Sequence, residues 1–118
     1  MTDFLLDTDV IVDQLRGVRA IPLSARGSSY SLITRCELYA GRETEEQLVD
    51  LILSPLSEAA VDRAIAERAG RLQRTAGIRI ADAIIAATAL ERGLELVTRN
   101  RRDFEHVRGL RVRDPSSL

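Results

Sequence analysis

The opening of the chain constrains its fold more than any other stretch. Phe4, Leu5 and Leu6 form a short apolar run that stops at Asp7-Thr8-Asp9. Apolar positions resume at Val10, Ile11, Val12 and Leu15, ahead of Gly17. Such a pattern reads as a buried strand, a polar turn and a helix. In open α/β sheets, ligands sit beyond the carboxyl ends of the strands. Asp7 and Asp9 therefore stand where a site is expected, and the later residues decide what kind.

The rest of the chain alternates in the same way. Val18 to Ser29, with Pro22 and Gly27, reads as a short helix or loop. Ser29 to Ile33 predicts a second strand, and Ser31 or Thr34 can cap a helix from Ile33 to Gly41. Arg42 to Leu51 is expected to continue helical, and Leu51 to Leu56 to include a third strand, placed at an edge or a strand end by Pro55. Ser57 is expected to cap a long amphipathic helix to about Arg74, with Val61, Ile65, Ala69 and Leu72 as its stripe and Gly77 as its stop. Ile80 to Glu91 reads as a further helix closed by Gly93, and Leu94 to Val97 as a fourth strand. An arginine-rich loop runs from Thr98 to Phe104, and Arg108 to Val112 predicts a last strand. Strands alternating with helices imply a three-layer α/β/α sandwich around a mainly parallel sheet of four to five strands. At this length the simplest organisation is one domain over residues 1–118.

Composition narrows the function classes. No run approaches the roughly 18 apolar residues of a membrane span, so no membrane association is expected. Asp3, with no basic residue before it, argues against a secretory leader. The single cysteine, Cys36, excludes an internal disulfide and fits a reducing cytoplasm. Net charge is −1, which predicts no strong bulk attraction to nucleic acid. All 17 basic residues are arginine. Genome base composition accounts for that, as does a preference for bidentate phosphate contacts. Either way, any mechanism that requires a lysine is excluded.

Three further acids depart from ordinary surface patterning. Asp82 is the only charge in the apolar stretch Ile80 to Leu90, where Ile85 and Ala86 one turn on turn it toward the protein. A first-turn aspartate favoured by the helix dipole is the alternative. Glu37 has Ile33 behind it and Ala40 and Gly41 ahead, and it is also readable as a surface glutamate pairing with Arg35 or Arg42. Asp103 follows the fourth strand and fits a turn or N-cap equally well. Together they say more. Asp7 and Asp103 follow predicted parallel strands, while Glu37 and Asp82 lie on helices entering from the same sheet edge. Four carboxylates converging there repel unless a cation neutralises them. All-oxygen ligation selects a hard divalent ion, Mg²⁺ or Mn²⁺. Zinc is disfavoured, since Cys36 reads as a small core residue, His106 as a surface residue, and neither shows ligand spacing.

Four stretches carry a resemblance: Leu5 to Asp13, Ser31 to Gly41, Ile80 to Leu90 and Leu96 to Phe104. In this order they resemble the PIN domain, and within it the VapC toxins of bacterial toxin–antitoxin pairs. The resemblance implies a metal-dependent endoribonuclease, held inactive by a cognate VapB-type antitoxin and commonly homodimeric. Carried onto this chain, it makes Asp7, Glu37 and Asp82 the core metal ligands, and Asp103 the fourth acid, acting directly or through water. Thr8, Thr98 and Asn100 become supporting residues, and Arg99, Arg101 and Arg102 become contacts for RNA phosphates or an antitoxin. Two departures stand out. The stretch between Asp13 and Ser28 is short for the family, which truncates its second helix. Position 9 is variable, and Asp9 reads as a helix N-cap or an extra acid.

The implied reaction is hydrolysis of an RNA phosphodiester by metal-activated water. With two tyrosines, two phenylalanines and no tryptophan, extensive base stacking is not expected. Two rival readings fit parts of the chain. Asp7-Thr-Asp9 also fits the opening of haloacid-dehalogenase-like phosphatases, which need a later lysine absent here. A degenerate PIN fold serving as an RNA- or protein-binding module is expected to have lost one of the four acids.

Overall fold

The structure, a computed structural model, describes residues 3–118. The expected single domain over 1–118 thus includes two N-terminal positions that lie outside the described residues. The chain runs β1 (Phe4–Leu6), α1 (Thr8–Leu15), β2 (Ser29–Ser31), α2 (Leu32–Tyr39), α3 (Glu46–Leu53), β3 (Ser57–Ala59), α4 (Arg63–Ala76), α5 (Ile80–Arg92), β4 (Glu95–Val97) and β5 (Val112–Arg113). Short 3-10 turns occupy Leu23–Ala25, Arg101–Phe104 and Pro115–Ser117.

The five strands form one sheet in the order β3-β2-β1-β4-β5, and every neighbouring pair is parallel. The chain builds outward from β1 through β2 to β3, then returns to the other side of β1 for β4. The order therefore reverses between β1 and β4, whose register pairs Leu5 with Leu96 and Leu6 with Val97. A crevice at the carboxyl ends of such a pair is the usual ligand position in open α/β sheets.

Alternation along the strands feeds two cores. Leu6 and Val97 pack with Val10, Ile11, Leu38, Val49 and Leu53 beneath α1, α2 and α3. Leu5 and Leu96 face the other way, onto Ile85, Ala86, Ala89 and Phe104. Behind α5, its Ala83 and Ala87 meet Ile65 and Ala69 of α4. Small residues on both sides of α5 let it lie between the sheet and α4, giving the three expected layers. Among the described residues no helix is long and apolar enough to cross a membrane.

Helix ends follow local chemistry. Ser31 caps α2 by accepting from the Ile33 amide, as one of the two expected candidates. Gly77 and Gly93 end α4 and α5 with φ of 67° and 65°, a left-handed turn that glycine takes without a Cβ clash.

Four expectations need correction. Arg42 to Leu51 is not one helix continuing from α2: the Thr44 hydroxyl donates to the Leu38 carbonyl at 2.7 Å where α2 ends, and α3 begins only at Glu46. The third strand lies at Ser57–Ala59 rather than 51–56, because Leu53 is buried as part of α3 and the chain turns before it can pair with β2. Ser57 accordingly caps nothing; Asp62 caps α4, accepting from the Ile65 amide at 2.9 Å. Cys36 is exposed, since α2 turns Thr34 and Leu38 inward and Cys36 outward. His106 is exposed, as expected, and Phe104 is core.

Candidate active site

β1 delivers Asp7 directly into the crevice. The Asp7 amide donates to the Val97 carbonyl at 2.9 Å, extending the β1–β4 ladder by one residue. Its carboxylate then turns to cap α1: Oδ1 accepts from the Thr8 amide and Oδ2 from the Thr98 hydroxyl, each at 2.8 Å. The side chain is buried. Burial first, and the Asp9 charge second, push its carboxyl from the ordinary 3.8 up to about 7; the Thr98 and Thr8 hydrogen bonds oppose that push, and Asp82 adds to it.

Asp9 is not the helix cap. That role belongs to Asp7, and Asp9 sits in the first turn of α1, turned toward the end of β4. Its Oδ2 accepts from the Arg99 amide at 3.0 Å and from the Thr98 hydroxyl at 3.2 Å. Its Oδ1 is buried and has no hydrogen-bond partner. Burial raises its carboxyl above the usual range, against the Arg99 amide, Thr98 and the Arg99 charge. Thr98 Oγ1 also accepts from the Asn100 amide at 3.0 Å. One hydroxyl proton therefore serves two carboxylates.

The other acids arrive from different elements. Asp82 occupies the first turn of α5, half-buried. Burial raises its carboxyl, Arg79 opposes, and the charges of Asp103, Glu37 and Asp9 raise it further. Asp82 thus lies in the field of Asp103, Glu37 and Asp9, and Asp7 in that of Asp9 and Asp82. Glu37 is exposed on α2 and accepts from the Thr8 hydroxyl at 2.6 Å, with Thr8 itself 2.9 Å from the buried Thr34 hydroxyl. Asp103 is exposed on the turn Arg101–Phe104.

The supporting residues divide. Thr8 and Thr98 bond the carboxylates directly, whereas Asn100 joins through its backbone amide to Thr98. Arg99 is drawn into an ion pair with Asp13 at 2.8 Å, while Arg101 and Arg102 are exposed. Asp9 and Asp13 are the participants that sequence reasoning placed elsewhere or passed over. Their spacing of four along α1 was a usable signal, since it stacks two acids on one helix face.

The donor chemistry fits a hard divalent ion. Asp9 has a buried oxygen without a partner, and burial first, then neighbouring carboxylate charges, raise Asp7 and Asp82. With side chains as they stand, no three acids among the described residues are gathered closely enough to ligate one ion.

Residues 4–110 match the PIN-domain family. The chain is 34% identical over 113 residues to "Ribonuclease VapC19" of Mycobacterium tuberculosis, covering 85% of this chain and 90% of that one. Among solved structures it resembles a toxin–antitoxin complex from Klebsiella pneumoniae, with 35% identity, a TM-score of 0.78, and 94% of this chain and 96% of that chain covered. It also resembles a DNA-bound VapBC from Salmonella typhimurium, with 27% identity, a TM-score of 0.84, and coverage of 98% and 99%.

Proposed function

The chain belongs to the PIN-domain family, and from that premise we propose that it is a metal-dependent endoribonuclease, the toxin of a VapBC-type pair. The observation that carries the reading is electrostatic: Asp82 lies in the combined field of Asp103, Glu37 and Asp9, beside an Asp7 pushed to about 7. Such an arrangement works against stability, and clustered acids of this kind mark functional sites. The names of the 34%-identical ribonuclease and of the 35%-identical toxin–antitoxin complex support the same activity and partner.

Asp7, Glu37 and Asp82, with Asp103, would hold Mg²⁺ or Mn²⁺. When bound, the ion supplies Lewis acidity toward the phosphate and lowers the pKa of water. The chain's own groups have separate tasks. Thr98 holds Asp7 and Asp9 against β4. Thr8 holds Glu37 toward the crevice. Asp103, exposed at its rim, is placed to orient and deprotonate the attacking water. Water adds to phosphorus, the ribose oxygen leaves, and no side chain becomes covalently attached.

A cavity between α1, α2 and α3 is our reading of the antitoxin's seat. It has about 590 Å³ and is lined by apolar Val12, Leu15, Leu38, Leu48 and Val49 and by charged Arg16, Glu37, Arg42, Glu43 and Glu45. A partner segment with apolar side chains and a basic residue toward Glu37 would fill it and cover the crevice. The homodimer implied by the resemblance is read by light scattering of the purified chain.

An RNA cleavage assay tests the activity. Cleavage that ends with EDTA, returns with Mn²⁺ and is lost in Asp7→Asn is expected. Cleavage surviving both treatments overturns the reading. The phosphatase alternative has lost its footing with the family match and the absent lysine.

A further inference from the structure

We propose that Arg99 is a positioning residue for the acidic cluster, holding Asp9 in place by a two-point attachment to α1. The inference rests on the cluster being the metal site proposed above. Asp9 and Asp13 are four positions apart on α1, so they stack one turn above the other on one face. Arg99, from the loop after β4, reaches both. Its backbone amide donates to Asp9 Oδ2 at 3.0 Å, and its Nε lies 2.8 Å from Asp13 Oδ2 in an ion pair.

Asp13 is a firm anchor. It is only 7% exposed, and its carbonyl accepts from the amides of Val18 and Arg19, which fastens the chain leaving α1. A buried carboxylate without a partner is costly, so the Arg99 guanidinium satisfies Asp13 while Asp13 orients Arg99. One hydrogen bond lets a segment pivot; a backbone hydrogen bond and a side-chain ion pair, made by one residue to successive turns of a helix, hold it at two points. The neighbouring Thr98 adds its hydroxyl to Asp7 and Asp9. Residues 98 and 99 therefore suture the end of β4 to α1 along the line of acids. Arg99 also places a positive charge beside carboxylates that otherwise repel. Its engagement with Asp13 distinguishes this role from that of a side chain reaching outward for RNA phosphate.

Mn²⁺ alone, titrated calorimetrically into the wild-type chain, Arg99→Met, Arg99→Lys, Asp13→Asn and the Arg99→Met/Asp13→Asn double variant, tests the inference. RNA cleavage kinetics run in parallel at a fixed, subsaturating Mn²⁺ concentration. Arg99→Met and Asp13→Asn are each expected to weaken Mn²⁺ binding about tenfold, as loss of outer supports to a metal site does. The double variant should be no weaker than either single, because one attachment is broken in all three. Arg99→Lys should recover part of the affinity. In cleavage, kcat should fall and recover as Mn²⁺ is raised, with KM for RNA unchanged. Wild-type Mn²⁺ affinity in Arg99→Met, with a raised KM for RNA, overturns the inference and makes Arg99 a phosphate contact. Additive losses in the double variant overturn the route through Asp13. Should Asp13→Asn fail to fold, Arg99→Met decides by the affinity and by the division between kcat and KM. A wild-type chain that binds no Mn²⁺ overturns the site reading itself, and is thereby told apart from a failure of Arg99 alone.

Discussion

Thr98 and Asp7 stand 91 positions apart in the chain, and the Thr98 hydroxyl donates to Asp7 Oδ2 at 2.8 Å inside the protein. Thr98 is wholly buried, so its hydroxyl is committed to the crevice at the β1–β4 reversal. Thr98→Val keeps the shape and removes that donor. Asp7 and Asp9 then lose a shared partner, and the Asn100 amide loses its acceptor. A loss of about 1–3 kcal/mol is expected for buried groups left unsatisfied. Urea unfolding of the metal-free protein measures it, and a change below about 0.5 kcal/mol, the size of an ordinary surface substitution, contradicts the pairing.

Asp82 is held against ionisation by burial first, opposed by Arg79, and then by the Asp103, Glu37 and Asp9 charges. Asp82→Asn removes one charge and keeps the shape. The metal-free variant should melt higher than the parent, by roughly what 1 kcal/mol gives in a domain of this size, a few degrees. Added Mn²⁺ should stabilise the parent and not the variant, since only binding to the folded state raises stability. Equal Mn²⁺ response in the two proteins would remove Asp82 from the ligand set.

Stability of the metal-free protein should depend on pH in a direction set by Asp7. Its folded-state carboxyl is raised from 3.8 to about 7, chiefly by burial. The folded state thus favours the protonated form. The associated stability is fully present below pH 3.8 and is lost as pH rises through about 7. Asp50 and Glu58 run the opposite way: Tyr39 and Arg35 hold Asp50 low, Arg35 and Tyr30 hold Glu58 low, and their contribution disappears as pH falls through the carboxylate range. Metal-free protein should therefore be most stable on the acid side of neutrality and weaken toward pH 8. Saturating Mg²⁺ or Mn²⁺ should flatten the alkaline limb, because bound ions favour ionised carboxylates. Melting curves from about pH 2 to 8, with EDTA and with Mn²⁺, show both limbs.

Away from the crevice, Tyr30 joins strand and helix. Its hydroxyl donates to Glu58 Oε1 at 2.8 Å on β3 and accepts from Arg35 Nη2 at 2.9 Å on α2, while its ring is buried beneath them. Tyr30→Phe should cost about 1 kcal/mol, the net worth of such a bond. Cleavage should be unchanged, since neither partner belongs to the acidic cluster. A large loss of activity with stability intact would tie this edge of the sheet to the reaction.

Local patterning foretold the elements whose boundaries are made locally. β1 is an apolar run ended by acids, α5 is apolar nearly all round, and Gly77 and Gly93 stop helices by accepting a left-handed turn. The α3–β3 boundary resisted, because Leu51 to Leu56 is apolar enough for either state. Pairing of Ser29, Tyr30 and Ser31 with Ser57, Glu58 and Ala59 selected the later segment as the strand. Cys36 was misplaced for a similar reason: α2 is short, and its apolar residues do not by themselves say which side meets the core.

The candidate site divides along the same line. Asp7 and Asp82 drew notice because an acid at a strand end or in an apolar helix goes against the cost of burying charge, whereas Glu37 and Asp103 are exposed and were singled out by their place beside the same sheet edge. Their sequence also determined the chemistry available, namely oxygen ligands without lysine and without a spaced histidine or cysteine. Which of these groups touch was decided by tertiary structure alone. Parallel pairing of Leu6 with Val97 sets the ends of β1 and β4 side by side, so Thr98 meets Asp7 and Arg99 spans Asp9 and Asp13. Helical spacing places Asp9 and Asp13 on one face, but only the strand register brings residues some 90 positions later against that face. Partnerships made across that distance leave no local periodicity to read.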